Sequence, residues 1–270
     1  MKHTHPLINL TAVLLFMVLY IPLLCVVLFS FNASRLGMQW GGFTLHWYVD
    51  LFHDGMVLRA AMNTIILAVS STLISTVVGT VLAVGLQTAP WGKKARRFFE
   101  PLINLPVVTP DIIFAVALVI AFGVIRSLTG LFELGMPTMI VGHVTFQIAF
   151  VTLAVRNRLE AIGNEYSEAA FDLYASFGYS FRTVILPLLL PGILAGAMLA
   201  FTLSLDDFII SFFTAGPKSM TLPIFIYASV HRGVTPEIHA LSTLVMVFTI
   251  LVVVLLRRSE KHNEQTEAKS

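Results

Sequence analysis

From Leu7 to Ser30 the chain reads LINLTAVLLFMVLYIPLLCVVLFS, without one charged side chain. About twenty apolar residues is the length that crosses the hydrocarbon core of a bilayer as a helix. Similar runs recur along the chain, and they constrain the fold more than any other feature. Inside lipid each backbone N–H and C=O must find a partner within its own segment, so a spanning run of this kind is a helix. Composition agrees: 57% of the 270 residues are hydrophobic and 12% are charged, against roughly a quarter charged in soluble domains. Mean hydropathy is +0.85. The sequence predicts an all-α polytopic membrane protein, one membrane domain over 1–270 with no soluble module.

Six spans fit the hydropathy, at roughly 7–30, 60–87, 101–126, 137–157, 189–212 and 239–256. The first run is longer than the core of a signal peptide, and no small-residue cleavage site follows FSFNAS. It is expected to remain as a helix. Cys25, the single cysteine, gives no disulfide framework. The triplets at Asn9 and Asn32 match a glycosylation pattern that short chance matches often meet. Pro106 and Pro110 interrupt the third span. Proline in a membrane helix frees a backbone carbonyl, so LPVVTPD is expected to face protein or a cavity.

Lys and Arg set the orientation. Twelve fall on one side of the six-span arrangement: Lys2, Lys93, Lys94, Arg96, Arg97, Arg156, Arg158, Arg182, Arg257, Arg258, Lys261 and Lys269. Five fall on the other: Arg35, Arg59, Arg126, Lys218 and Arg232. The excess belongs inside, which puts both termini in the cytoplasm. Trp40, Trp47 and Tyr48 lie in the first outside segment, where an aromatic belt is expected. The tail over 257–270 is polar and is expected to be disordered.

Two spans carry small residues at four-residue spacing, Ser71, Ser75, Gly79 and Ala83 in the second and Gly192, Gly196, Ala200 and Ser204 in the fifth. Such ladders let helix backbones approach closely in lipid. Catalytic signatures are missing. The chain has no GxxxxGK[ST], HExxH or CxxC pattern, which leaves no P-loop, zincin or thiol site to build on. No GxSxG-like nucleophile is present. Asp111 and Asp207 could be cast as an aspartyl pair, but their flanking residues give that role no support. His143, alone in its span, reads as an interhelical hydrogen-bonding group.

Acids stand out in such a chain, because a charge in a membrane helix is costly unless it meets a cavity or a partner. Asp111 follows Pro110 about ten residues into its span, near mid-membrane. Asp206 and Asp207 lie near the outer end of the fifth span. Helix residues turn about 100° each, so Asp207 points with the small-residue ladder and Asp206 about 100° away. Asp207 is then the better candidate for a cation pathway, and Asp206 a local partner or rim charge. The other reading has these acids capping a broken helix or pairing with Arg35, Arg59 or Arg232. Phe208, Phe212, Phe213 and Tyr227 offer aromatic faces for cation–π attraction.

Between the fourth and fifth spans lies a polar inside segment, about 159–188. Phe171, Tyr174, Phe177, Gly178 and Phe181 fall near one helical face, and Glu165, Glu168 and Asp172 on another. Membrane-surface helices are usually Lys/Arg-rich on the polar face. This one is acidic, which favours a protein partner.

EAAFDLYASFGYSFRTVILP resembles the EAA motif of the permease subunits of ABC importers, the binding-protein-dependent transport family. Glu168, Ala169, Ala170, Ile185, Leu186 and Pro187 match the pattern, with Ile185 one place off. The family's glycine falls on Tyr174, and a glycine stands instead at Gly178. Because a left-handed turn costs tyrosine more than glycine, the turn is expected near Gly178, or the helix runs on. LPVVTPDIIFAVAL, VGHVTFQIAFV, AFTLSLDDFIISFFTAGP, TLPIFIYASV and GVTPEIHAL are similar to the second permease subunit of spermidine/putrescine importers.

The resemblance implies the type I ABC-importer permease fold, with a transmembrane core over about 59–256. It implies a distinct homologous permease as partner, two ATPase subunits, a periplasmic binding protein, and the bacterial inner membrane as location. Glu168, Ala169, Ala170, Asp172, Tyr174, Gly178 and Pro187 would form the ATPase-coupling contact. Asp207, Asp111, Asp206, Phe208 and Tyr227 would line the polyamine pathway. ATP and Mg²⁺ would sit on the ATPase subunits, with no cofactor in this chain. Two alternatives stay open: the same architecture importing ferric iron or an amino-acid derivative, and a free-standing secondary transporter.

Overall fold

The computed structural model of the chain describes residues 6–34, 39–88, 93–163 and 165–267. Twelve α-helices are distinguished among them: α1 (Pro6–Phe29), α2 (His46–His53), α3 (Gly55–Thr88), α4 (Lys93–Val108), α5 (Asp111–Thr129), α6 (Met136–Ile162), α7 (Glu165–Asp172), α8 (Phe177–Ser180), α9 (Leu186–Asp206), α10 (Ile209–Thr214), α11 (Leu222–Arg232) and α12 (Pro236–Glu267). A π-helical turn, Phe181–Ile185, joins α8 to α9. Five helices are long and apolar enough to cross a bilayer, α1, α3, α5, α6 and the run from α8 to α9, and α12 opens with a shorter apolar stretch.

The chain divides into two compact units, residues 1–58 with 225–259 and residues 59–224 with 260–270. In the first, α1 exposes its large apolar side chains along its length, from Leu10 to Leu28, as a lipid-facing helix does. Asn32 organises the loop after it. Its Nδ2 donates to the Gln39 carbonyl at 2.9 Å, and its Oδ1 accepts from the amides of Ser34 and Gly41. Trp47 is buried and its Nε1 donates to the Asn32 carbonyl at 2.8 Å, and Tyr48 bonds Ser30. Of the residues expected in an aromatic belt, these two instead fasten the loop, because each polar tip finds a protein partner. In α12, which has no Gly or Pro after Pro236, helix continues to Glu267. The tail expected to be disordered is therefore helical over its described part; Arg, Lys, Glu and Gln favour that state.

The second unit is built around α6. Its buried residues, among them Met139, His143, Gln147, Val151 and Val155, face several directions, which marks a helix surrounded by others. Both small-residue ladders are buried in full. A Cβ added at Gly196 would meet Ala154 and Val151 of α6 at 3.3 Å, and one at Gly79 of α3 would meet Val151 at 2.8 Å. At Gly192 it would strike the Cβ of Arg158 at 2.5 Å. The Nε of Arg158 donates to the Leu188 carbonyl at 2.9 Å. These glycines are absent side chains that let α3 and α9 close on α6.

Two expected spans are broken. Over 101–126 the helix stops at Val108 and restarts at Asp111, since Pro110 cannot continue the hydrogen-bond ladder and constrains Thr109 before it. The fifth span ends at Asp206 rather than 212, and α10 begins a new, short helix. After α10 the chain folds tightly on itself. Asn63 Nδ2 donates to the carbonyls of Lys218 and Met220, and Thr64 Oγ1 accepts from the Leu222 amide at 2.8 Å. Gly216 sits so close to the α6 entry that a Cβ there would lie 2.1 Å from the Leu134 carbonyl oxygen.

That contact is backbone against backbone, so neither side can rotate away. Gly216→Ala is expected to destabilise the protein by about 1–3 kcal/mol, the usual range for overpacking. Gly85→Ala, with nothing within 4 Å of its added Cβ, should be neutral or better. Melting temperatures of the two variants in detergent check the contrast.

Candidate functional site

Two places in the second unit concentrate the residues singled out from sequence. One is the break between α9 and α10. Asp206 ends α9 and is exposed, whereas the side chain of Asp207 is 10% exposed and turns inward. Asp207 has left helical geometry, with φ −64° and ψ 120°. Its Oδ1 accepts the Ile210 amide at 3.3 Å and its Oδ2 the Ser211 amide at 2.8 Å. Two orphan donors at the start of α10 are thereby satisfied. The same Oδ2 lies 3.3 Å from Nε2 of His143, which is fully buried.

The direction read from the helix turn therefore holds. Asp207 follows the ladder face into the bundle, where it meets His143 and two amides. The reading in which an acid caps a broken helix is the one seen for Asp207; the partner is His143, which the sequence treats separately. Both residues project from helices that the glycine ladders bring together, a coincidence in space that spacing along the chain cannot reveal.

A buried polar line extends from this point. His143 Nδ1 lies 2.8 Å from Ser204 Oγ, and Ser204 Oγ lies 3.2 Å from Ser71 Oγ. Gln147 Nε2 donates to Ser71 Oγ and to the Ala200 carbonyl, and Ser75 donates to Gln147 Oε1 at 3.1 Å. The line ties α3, α6, α9 and α10. His143 is an interhelical hydrogen-bonding group, as its solitary position suggests. Gln147 was not singled out from sequence, although a lone amide on a membrane helix is a signal of this kind.

Asp111 opens α5 and is exposed. A 19-residue helix rises about 28 Å, near the thickness of the hydrocarbon core. The break at Pro110 thus moves Asp111 from the expected mid-span position to the end of a helix able to cross by itself. The turns that follow it, Phe114, Ala115 and Leu118, pack on Ile209, Ile210 and Phe213 of α10. Those residues come directly after Asp206 and Phe208, so both exposed acids flank one apolar cluster. Neither has an ion-pair partner among the described residues, and Arg35 lies outside them. The ring of Phe208 sits 5.2 Å from that of Phe212. Tyr227 belongs to α11, in the other unit, with its ring edge-on to His231 at 4.6 Å.

The second place is the inside segment. There α7 ends in a turn whose two bonds run from the Ala175 amide to the Ala170 carbonyl, 3.0 Å, and from the Tyr174 amide to the Phe171 carbonyl, 2.9 Å. This nested pair is the Schellman closure, which requires a left-handed residue between its ends. Tyr174 is that residue, with φ +61°, and it is 98% exposed. The turn falls on Tyr174 and not near Gly178, which has no positive φ. One continuous aromatic face is consequently absent: Tyr174 stands in solvent. Phe171, Phe177 and Phe181 line a cavity of about 250 Å³ together with Leu159, Ser167 and Ile185. Glu168, Ala169, Asp172, Gly178 and Pro187 are exposed, and Ala170 is half-buried. Just before Pro187 the π turn carries the Leu186 amide back to the Phe181 carbonyl.

Residues 75–266 match the family described as binding-protein-dependent transport system inner membrane component. The chain belongs to this family. It is 37% identical over 236 residues to the spermidine/putrescine transport system permease protein PotC of Escherichia coli strain K12, covering 87% of each. It is 35% identical over 252 residues to the putrescine transport system permease protein PotI of the same strain, covering 91% of this chain and 89% of the relative. Among solved structures, a chain of a bacterial ABC transporter that imports the acidic polysaccharide alginate superposes with TM-score 0.78 at 16% identity, over 94% of each chain. At that identity the likeness concerns the fold alone, which is the permease fold of the ABC importers. The protein is a multi-pass membrane permease subunit of a binding-protein-dependent ABC importer.

Glycine at position 174 would remove the steric cost of the left-handed backbone, about 1–2 kcal/mol per residue. Tyr174→Gly in the permease is therefore expected to raise stability by about 1 kcal/mol, less the added freedom of the unfolded chain. A higher melting temperature for the purified variant, with unchanged helix content by circular dichroism, is the expected result.

Proposed function

We propose that this permease conducts polyamines such as spermidine and putrescine across the bacterial inner membrane, paired with a second, homologous permease. A periplasmic binding protein delivers the substrate. Two ATPase subunits dock from the cytoplasm, one of them on the 165–187 segment, and they hold the ATP and Mg²⁺. This chain contributes the path and no cofactor site. The observation that carries the reading is the 35–37% identity to polyamine permeases over about nine-tenths of the chain.

The chemistry of the exposed acids supports it. A polyamine is a string of ammonium groups that sheds water on entering a membrane path. Carboxylates offset that loss, and Asp111 and Asp206 are exposed beside the apolar cluster of α5 and α10. Phe208 supplies an aromatic face beside them. Asp207 joins this set through its neighbours, by fixing the break at which Asp206 and Phe208 stand. At the inside segment, the acidic polar face and the exposed Tyr174 support a protein partner over lipid.

In vesicles carrying the whole transporter, spermidine is expected to compete with putrescine uptake. Asp111→Asn and Asp206→Asn should each raise the KM for spermidine about fivefold, as loss of about 1 kcal/mol per ionic contact implies. Vesicles that take up neither polyamine would point to another solute, such as ferric iron or an amino-acid derivative. Wild-type KM in both variants at normal membrane expression would remove these acids from the path.

A further inference from the structure

His143 is held from both ring nitrogens. Its Nδ1 lies 2.8 Å from Ser204 Oγ, which in turn lies 3.2 Å from Ser71 Oγ. On the other side of the ring Nε2 faces the carboxylate of Asp207 at 3.3 Å and Ser211 Oγ at 3.0 Å.

The surroundings are those of a buried polar cluster. His143 is fully buried. The groups facing it are Ser71 of α3 through Ser204, Phe146 of its own helix with ring centroids 5.7 Å apart, Ser204 and Asp207 from the end of α9, and Ser211 of α10. Asp207 is the carboxylate within ion-pair distance among the described residues. The same carboxylate holds the first amides of α10. The pair therefore ties the central helix to the point where the fifth span breaks.

We propose that His143, paired with Asp207, is a positioning residue for transport: it holds the α9–α10 break, and with it Asp206 and Phe208, in the place where substrate passes. The transport part of this rests on the polyamine reading above; the pairing does not. Replacing one member leaves the other buried without its partner, which is worse than replacing both.

A double-mutant cycle on the complete transporter tests it, with His143→Gln, Asp207→Asn and the two combined. Both replacements keep groups that can donate and accept. Each single variant is expected to lower the melting temperature in detergent and to raise the KM for spermidine about tenfold, with the double variant returning to within about threefold of wild type. Additive losses in the double variant would overturn the pairing. Coupled melting temperatures with an unmoved KM would overturn the positioning role, because a purely structural pair changes the number of working transporters and hence Vmax. If the wild type takes up no spermidine, the substrate assignment falls, and the melting cycle still decides the pair.

Discussion

Lipid removes the force that assembles a soluble core. A helix that leaves hydrocarbon tails for another apolar helix hides nothing from water, so it must be held by close contact and by hydrogen bonds. The packing of α3 and α9 on α6 supplies both. Gly79, Gly192 and Gly196 bring backbones within reach, and Ala83, Ala200 and Leu189 fill the seam with Val151 and Val155. Through that seam run the contacts of Gln147 and Ser75 and the serine pair Ser71 and Ser204. Thr152 adds a bond to the Gly79 carbonyl at 3.3 Å. Such bonds require the close approach that glycine allows, and they make that approach specific in register.

The broken spans follow from the same economy of donors and acceptors. Interrupting a helix in hydrocarbon exposes amides and carbonyls, tolerated only where protein or water takes them up. At the α9–α10 break the acceptor is built in, since Asp207 binds the amides of Ile210 and Ser211. At the other break Pro110 brings no amide, and its carbonyl takes the amides of Ile113 and Phe114. Each break places an exposed carboxylate, Asp206 or Asp111, beside the end of a helix. Irregular backbone and exposed acid come together because the conditions that admit the one, a wet or protein-lined surface, also make the other affordable.

Much of this was legible in the sequence. The spans, the prolines and both ladders are local patterns, and a helix turn of about 100° separated Asp206 from Asp207 correctly. What was not legible depends on contacts between distant segments. Sequence placed Asp207 on the inward face but could not supply its partner 64 positions earlier. Trp47 looked like an interfacial tryptophan because a belt is the common use of that residue; its bond to the Asn32 carbonyl depends on the loop between them folding back. Asp111 was misplaced along its span for a different reason. In sequence Pro110 looks like an irregularity within one helix, but it begins a second.

Tyr174 shows how local geometry can override residue preference. Glycine is favoured at the left-handed position because it has no Cβ, yet the closure at the end of α7 is specified by hydrogen bonds, not by glycine. Ala170 and Phe171 offer their carbonyls, and the next chance to satisfy them is the turn itself. Gly178 is four residues too late to close it. Continuing the helix would carry Tyr174 onto the face with Phe171 and Phe177. The chain keeps the turn, and the strain falls on a side chain that meets no steric obstacle outside. Downstream, the π turn absorbs the mismatch ahead of Pro187, which cannot donate to the ladder. Two irregularities of opposite kind, one too tight and one too wide, thus bound residues 174–185, and the aromatic residues between them are set by backbone geometry and not by a single helical face.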